Sequence, residues 1–283
     1  MTEDVRAYYA GFGEREWDRL EHMPDGRIEF AVTCDALARY LPPCVRVLDL
    51  GGGPGRYTIW LAQRGHRVTL ADLSPEMLAI ARQRIHEASV EGRVEAVIEA
   101  DARDLGAWAD GSFDAAVCLG PFYHLPEADD RNRAAAELRR VLVGDGVVFI
   151  ALMPALAFLR RSLALPDERR HLLEPGFNQR VLHDGVFVND VPGRFTQGYG
   201  VKLEEVGPFF SRFGFEQVAL LSAESLTVGL ETVLPELLAD EALHQLVFEL
   251  AIGHAGDPSI LGLARHLLYV GRCRSAGPAA AQR

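Results

Sequence analysis

Apolar residues along the chain alternate between two patterns. Short apolar runs of strand length end at glycine or aspartate: Val45 to Gly51, Arg67 to Asp72, Val94 to Ala100 before Asp101, Phe113 to Leu119 before Gly120-Pro121, and Val147 to Leu152. Between them lie stretches with helical spacing. Tyr57 to Arg64 is closed by Gly65, and Glu127 to Leu142 is stopped by Gly144. A third begins at Ser74-Pro75, an N-cap followed by a first-turn proline, and runs to about Gly92. Met77, Ile80, Ala81 and Ile85 share one side of it. Short strands alternating with helices pair in parallel through crossovers. The expected fold is therefore α/β: a doubly wound, mostly parallel sheet.

The flanks are less regular. Val5, Tyr8, Tyr9 and Phe12 share one helical face, and Phe30, Cys34, Leu37 and Leu41 form a second stripe ended by Pro42-Pro43. Phe215 to Leu221 reads as a sixth strand, His266 to Cys273 as a seventh, and Glu231 to Ala255 as helical. The stretch between Leu152 and Phe215 is roughly twice what one crossover helix needs. Its excess, Arg160 to Gly200, carries Phe177, His183, Phe187, Phe195 and Tyr199 and reads as a lid over the sheet's carboxyl edge. The expected organisation is a helical cap (1–44), a core (45–153), a lid (154–212), the rest of the sheet with a helical insertion (213–274) and a disordered tail (275–283).

Composition narrows the partners. The 283 residues carry 29 Lys+Arg against 40 Asp+Glu, a formal charge of -11. Such a surface repels phosphate backbones and anionic lipid, and no basic patch offsets it. Neither nucleic acid nor membrane is an expected partner. No apolar run reaches the ~18 residues of a membrane span; Val147 to Leu159 is interrupted by Pro154, and the N-terminus is charged from the start. Cys34, Cys44, Cys118 and Cys273 are scattered, without a C-x-x-C pair. No zinc knuckle, redox motif or disulfide framework is expected. These features together describe a soluble, cytoplasmic protein.

The sharpest chemical signal is Val47-Leu-Asp49-Leu-Gly51-Gly52-Gly53-Pro54-Gly55-Arg56, at a strand-to-helix turn where doubly wound folds bind nucleotide-like ligands. No Lys-Ser or Lys-Thr follows, so a phosphate-gripping loop fails. The dinucleotide spacing fails as well, at Arg56 or Thr58, and Pro54 removes an N–H that a pyrophosphate would use. Asp49 repels pyrophosphate but suits a cationic group, although it can equally cap the following turn. Asp72, ending the second strand, can accept both hydroxyls of a ribose. Asp101, ending the third, can accept from an adenine amino group, a role that Asp104 nearby can also take. Three carboxylates at consecutive strand ends fit a positively charged adenosine derivative.

This constellation resembles the class I S-adenosylmethionine-dependent methyltransferases of small-molecule type. The matching stretch runs from Val45 to Leu152: the Asp49–Gly55 loop, Asp72-Leu73-Ser-Pro-Glu-Met77, Ala100-Asp101-Ala102, and Phe113 to Gly120. The resemblance implies a Rossmann-like, seven-stranded sheet with an antiparallel last strand between the fifth and sixth. It implies S-adenosylmethionine as cofactor and S-adenosylhomocysteine as product. It puts Gly51, Gly53 and Gly55 around the methionine portion, Asp72 on the ribose, Asp101 on adenine with Met77 nearby, and Leu119 beside the methionine moiety. Leu73, Ala102, Asp49 and Tyr9 complete the implied cofactor set.

Methyl transfer from a sulfonium depends chiefly on proximity and orientation, and needs a base only for a protonated nucleophile. The candidate bases are His124 after the fourth strand, and His171 and His183 in the lid; each can equally be a structural histidine. Tyr8, Tyr9, Phe12 and Trp17 can shield a sulfonium or merely pack, and Arg56 can bind a carboxylate. The expected activity is methyl transfer to O, N or C of a small molecule, in biosynthesis or natural-product tailoring. A methyltransferase acting on a peptide or protein, a nicotinamide-dependent oxidoreductase, and a protein using the sulfonium for cyclisation are the alternatives.

Overall fold

The structure, a computed structural model, describes residue 6 and residues 13–274 apart from 192, 193 and 196. Val5, Tyr8, Tyr9, Phe12 and the tail at 275–283 lie outside the described residues. Two helices, α1 (Arg15–His22) and α2 (Pro24–Tyr40), lead into the alternation that the apolar pattern predicts. It runs β1 (Arg46–Leu50), α3 (Arg56–Gln63), β2 (Arg67–Asp72), α4 (Pro75–Glu87), β3 (Val94–Glu99), β4 (Phe113–Cys118), α5 (Ala128–Val141) and β5 (Leu142–Pro154). Ser74 does cap α4, its hydroxyl accepting from the Met77 N–H at 3.3 Å.

After β5 come α6 (Ala155–Ala164), β6 (Val186–Val188), β7 (Gln197–Val201), α7 (Leu203–Arg212), β8 (Phe215–Ser222), α8 (Leu234–Ala239), α9 (Glu241–His254) and β9 (Leu267–Cys273). The helical stretch expected over 231–255 is divided at Asp240, whose carboxylate accepts from the N–H groups of Ala242 and Leu243 and so restarts the chain as α9.

The strands pair in the order β3-β2-β1-β4-β5-β9-β8, with β9 antiparallel to both neighbours. The sheet therefore has the seven strands and the reversed last strand that the resemblance implies. It also has two more: β6 and β7 form a hairpin, and β7 joins the end of β5 at Met153–Gly200 and Pro154–Val201. Glycines at 198 and 200 thin out the apolar alternation by which a strand is recognised in sequence.

Both faces of the sheet are covered, and the strand period shows why. Leu48, Val148 and Ile150 point into one core with Phe113, Leu138 and Phe210, while Val47 and Phe149 point into the other with Leu37, Leu61 and Val270. Each such side chain, fully buried, contributes about 1.5–3 kcal/mol. The hairpin and α6 enclose a separate core of Phe158, Phe177, Val181 and Phe187, with Phe158 stacked on Phe187 at 4.6 Å. Helix α7 instead buries Val206 and Phe210 in the sheet's own core.

Gly198 sets how closely the hairpin approaches the loop after β4. A Cβ there would lie 2.8 Å from the Tyr123 carbonyl oxygen, 2.7 Å from Phe195 and 2.9 Å from Phe158. Gly198→Ala should destabilise the protein by about 1–2 kcal/mol, the usual cost of overpacking, read from the urea midpoint. An unchanged midpoint would mean that the hairpin is free to lift.

Among the described residues no helix is long and apolar enough to cross a membrane.

Candidate functional site

Strands β3, β2, β1 and β4 end on one edge, and a cavity runs across their carboxyl ends. Asp101, Ala102, Asp72, Leu73, Met77, Asp49, Gly51, Gly53 and Leu119 all line it. The sequence-predicted set is thus brought together, with two exceptions. Tyr9 lies outside the described residues. Gly55 faces away from the cavity: a Cβ on it would meet Ala81 and Leu70 at 3.3 Å, so this glycine lets α3 pack against α4.

Asp72 organises the glycine loop. One of its oxygens accepts from the Gly53 N–H and the other from the Ser74 N–H, each at 2.8 Å. Gly53 has a φ of +53°, and among the described residues a Cβ there would meet nothing within 4 Å, so on that side the loop backbone is open to a ligand. Burial raises the Asp72 pKa, against these backbone hydrogen bonds. Asp49 is buried and accepts from the Thr58 hydroxyl at 2.6 Å. Burial pushes it up to about 7; Thr58 opposes the rise and the Asp72 charge adds to it. Asp101 is gripped by Arg103 through backbone and guanidinium, at 2.9 Å from each. Burial alone would raise its pKa, but Arg103 outweighs it and holds the carboxyl below its usual range.

The three candidate bases separate. His124, in the turn Pro121–His124, is buried in the cavity wall with its ring 4.9 Å from those of Tyr123 and Phe195. Burial pushes it down to about 3. At neutral pH it is a neutral imidazole, able to orient a donor but a weak proton acceptor. His171 and His183 are not brought to the cavity. His171 is drawn into the segment between α6 and β7, which does not line the cavity, its ring nitrogens 2.7 Å from Glu174 and 3.0 Å from the side-chain amide oxygen of Asn189. His183 stands on an exposed turn, 2.7 Å from Asp184. Trp17 does not line the cavity either: the guanidinium groups of Arg56 and Arg84 stack on its ring at 4.7 and 4.8 Å. Arg56 lines the cavity and lies 3.2 Å from Glu21.

Sequence reasoning missed the cavity's other wall. Glu16, Arg19 and Leu20 of α1, Glu29 of α2, and Tyr57 and Tyr123 line it. Arg19 bonds Glu29 at 2.5 and 3.1 Å and Glu16 at 3.0 Å. The available signal was Glu29 itself, a charge beside the buried Ile28 and Val32 of one helix. Behind it, Glu29, Glu224 and His266 bring three ligand-type atoms within 4.8 Å of one another. Arg19 and Arg265 already hold the two carboxylates, which makes the group an ion-pair network rather than a ligand set for a metal.

The cavity suits the expected cofactor on its own chemistry. Asp72 and Asp101 offer acceptors at neighbouring strand ends, Gly53 leaves room for close approach, and the buried acid Asp49 favours a cationic ligand.

Residues 48–150 match the family model described as a methyltransferase domain. The chain is 33% identical over 153 residues to the ubiquinone biosynthesis O-methyltransferase of Xanthomonas campestris pv. campestris, covering 51% of this chain and 59% of that one. It therefore spans under two thirds of the length of such curated relatives. Two solved structures with bound S-adenosylhomocysteine share the fold at 18% identity. The Burkholderia thailandensis 1,6-didemethyltoxoflavin-N1-methyltransferase aligns over 95% of this chain and 87% of its own, with a TM-score of 0.57. The magnesium protoporphyrin IX methyltransferase of Synechocystis PCC 6803 aligns over 97% and 100%, with a TM-score of 0.58. Strand order, cavity and matched segment agree: residues 48–150 match a methyltransferase domain, and the sheet shares the fold of methyltransferase structures that hold S-adenosylhomocysteine.

Proposed function

We propose that the protein transfers a methyl group from S-adenosylmethionine to an O, N or C atom of a small-molecule acceptor, as a cytoplasmic enzyme of biosynthesis or natural-product tailoring. The observation that carries this reading is the single cavity joining Asp101, Asp72, Gly53 and Leu119 to a wall from α1 and α2. Strand order gives the cavity a direction. Asp101 on the β3 side would take adenine, Asp72 the ribose hydroxyls, and the glycine loop with Leu119 the methionine portion. The acceptor would enter at the far end, among Tyr57, Tyr123, His124 and Glu29. The cofactor supplies an activated methyl on sulfur; the chain supplies position and exclusion of water. His124, neutral at physiological pH, would orient the acceptor by a hydrogen bond. The relatives' names point the same way, since a ubiquinone precursor and a toxoflavin precursor are small molecules.

Calorimetric titration with S-adenosylhomocysteine beside NADH tests the cofactor. Micromolar binding of the first and none of the second is expected; binding of NADH alone would overturn the reading. Incubation with S-adenosylmethionine and small-molecule pools, scored for a gain of one methyl group, then tests the acceptor class.

A further inference from the structure

Because β9 runs antiparallel to β5, its first residues lie at the same carboxyl edge as the cavity. His266 stands there, just before β9, and Glu224 follows the end of β8. The His266 Nδ1 lies 2.7 Å from Glu224 Oε1 and 3.7 Å from Glu29 Oε2. Glu224 is almost fully buried, and its second oxygen accepts the backbone N–H groups of Arg265 and His266 at 3.1 Å. Glu29 in turn holds Arg19 of α1, while Arg265 reaches Asp25 of α2. The helix pair that walls the cavity is thus tied to the far end of the sheet by one chain of charges.

We propose that the Glu29–His266–Glu224 cluster is a proton-operated latch, holding α1 and α2 against the cavity while His266 is cationic and loosening them when it is neutral. The inference rests on the proposed function only in identifying what the cavity binds. A cationic imidazole attracts both carboxylates. A neutral one can keep its Nδ1–H on Glu224 but no longer attracts Glu29. The ionic tie between the start of α2 and the sheet then falls to the Arg265–Asp25 pair, while Ile28, Val32 and Leu37 keep the helix packed by apolar contact. Among the described residues, the charged or titratable groups around His266 are Glu224 beyond β8, Glu29 of α2, Arg19 of α1, Arg265 beside it, Tyr123 with its ring 5.9 Å away, and, through Arg265, Asp25 and Glu231. Burial disfavours the cation, but Glu29 and Glu224 outweigh it and hold the pKa above that of an ordinary histidine. The latch is therefore complete below that ordinary value and is lost as pH rises through the raised one.

Hydrogen exchange of the full chain, corrected for intrinsic rates, reads the latch directly. Between about pH 6 and about pH 9, protection of the 15–40 segment should fall on the order of tenfold relative to β4 and β5. In His266→Gln the same segment should be weakly protected at both pH values. S-adenosylhomocysteine affinity should fall with pH in parallel in the wild type, apart from a contribution of Asp49 common to both proteins. Equal protection of the wild-type segment at the two pH values, or a His266→Gln profile like that of the wild type, overturns the latch. The wild-type comparison decides even if the variant does not fold. Absence of S-adenosylhomocysteine binding at every pH would count against the proposed function, while the exchange data still judged the latch.

Discussion

Replacing Asp72 by alanine should weaken S-adenosylhomocysteine binding approaching a hundredfold, about 2–3 kcal/mol, while leaving the fold intact. The carboxylate has two tasks in one place. It accepts the N–H groups of Gly53 and Ser74, which fixes the glycine loop against the start of α4, and it lines the cavity. Alanine leaves the Gly53 and Ser74 donors unmatched, at roughly 1–3 kcal/mol for a donor that stays buried, and removes the acceptors for two hydroxyls of a ribose. Asp72→Asn separates the tasks: it keeps one carbonyl acceptor and should recover part of the loss. Calorimetry on the three proteins, with urea midpoints as a check on folding, measures both. Unchanged affinity in Asp72→Ala would mean that the ligand does not run across the end of β2, and the direction assigned to the cavity would fall with it.

The legibility of this molecule follows the physics of its parts. Strands β1, β2 and β4 and the later part of β5 are largely buried on both faces, so they appear as continuous apolar runs, whereas β3 at the sheet's edge is half-buried and carries Glu95 and Glu99. Asp49, Asp72 and Asp101 could be read because main-chain geometry at a strand end fixes where a side chain goes. His171 and His183 could not. His171 was drawn inward by Asn189 and the phenylalanine core beside α6, and His183 turned outward on a short turn; neither outcome is encoded in local spacing. The same is true of Glu29 and His266, 237 positions apart, which meet only once β9 has inserted between β5 and β8. Gly55 shows a subtler limit. Its place in the loop motif was right, but its backbone serves helix packing rather than the ligand. Position along the sequence identifies a loop; which way each residue faces is settled by what packs behind it.

Asp49→Asn should make the protein more stable at alkaline pH and a poorer binder of cationic ligands. Burial raises the Asp49 pKa from 3.8 in an ordinary carboxyl to about 7. The folded chain therefore keeps this proton more tightly than the unfolded chain does. Below about pH 4 both states are protonated and the residue costs little. As pH rises towards 7 the unfolded state is ionised and the folded state is not, so stability drains away until the folded carboxyl ionises too. The full penalty is on the order of 4 kcal/mol, of which roughly 2–3 kcal/mol arises between about pH 5 and about pH 8. Asparagine has no charge to bury and keeps an acceptor for the Thr58 hydroxyl, so the variant should escape that loss. Urea unfolding of both proteins at the two pH values measures it, and equal pH dependence would show that Asp49 ionises as an ordinary carboxyl. The same burial explains why such a costly residue is useful. A carboxylate that the protein solvates poorly is stabilised by a cation arriving in the cavity, and that stabilisation appears as affinity. Asp49→Asn should accordingly lose affinity for S-adenosylmethionine, whose sulfonium is charged, more than for neutral-sulfur S-adenosylhomocysteine, and the gap should widen as pH rises through 7.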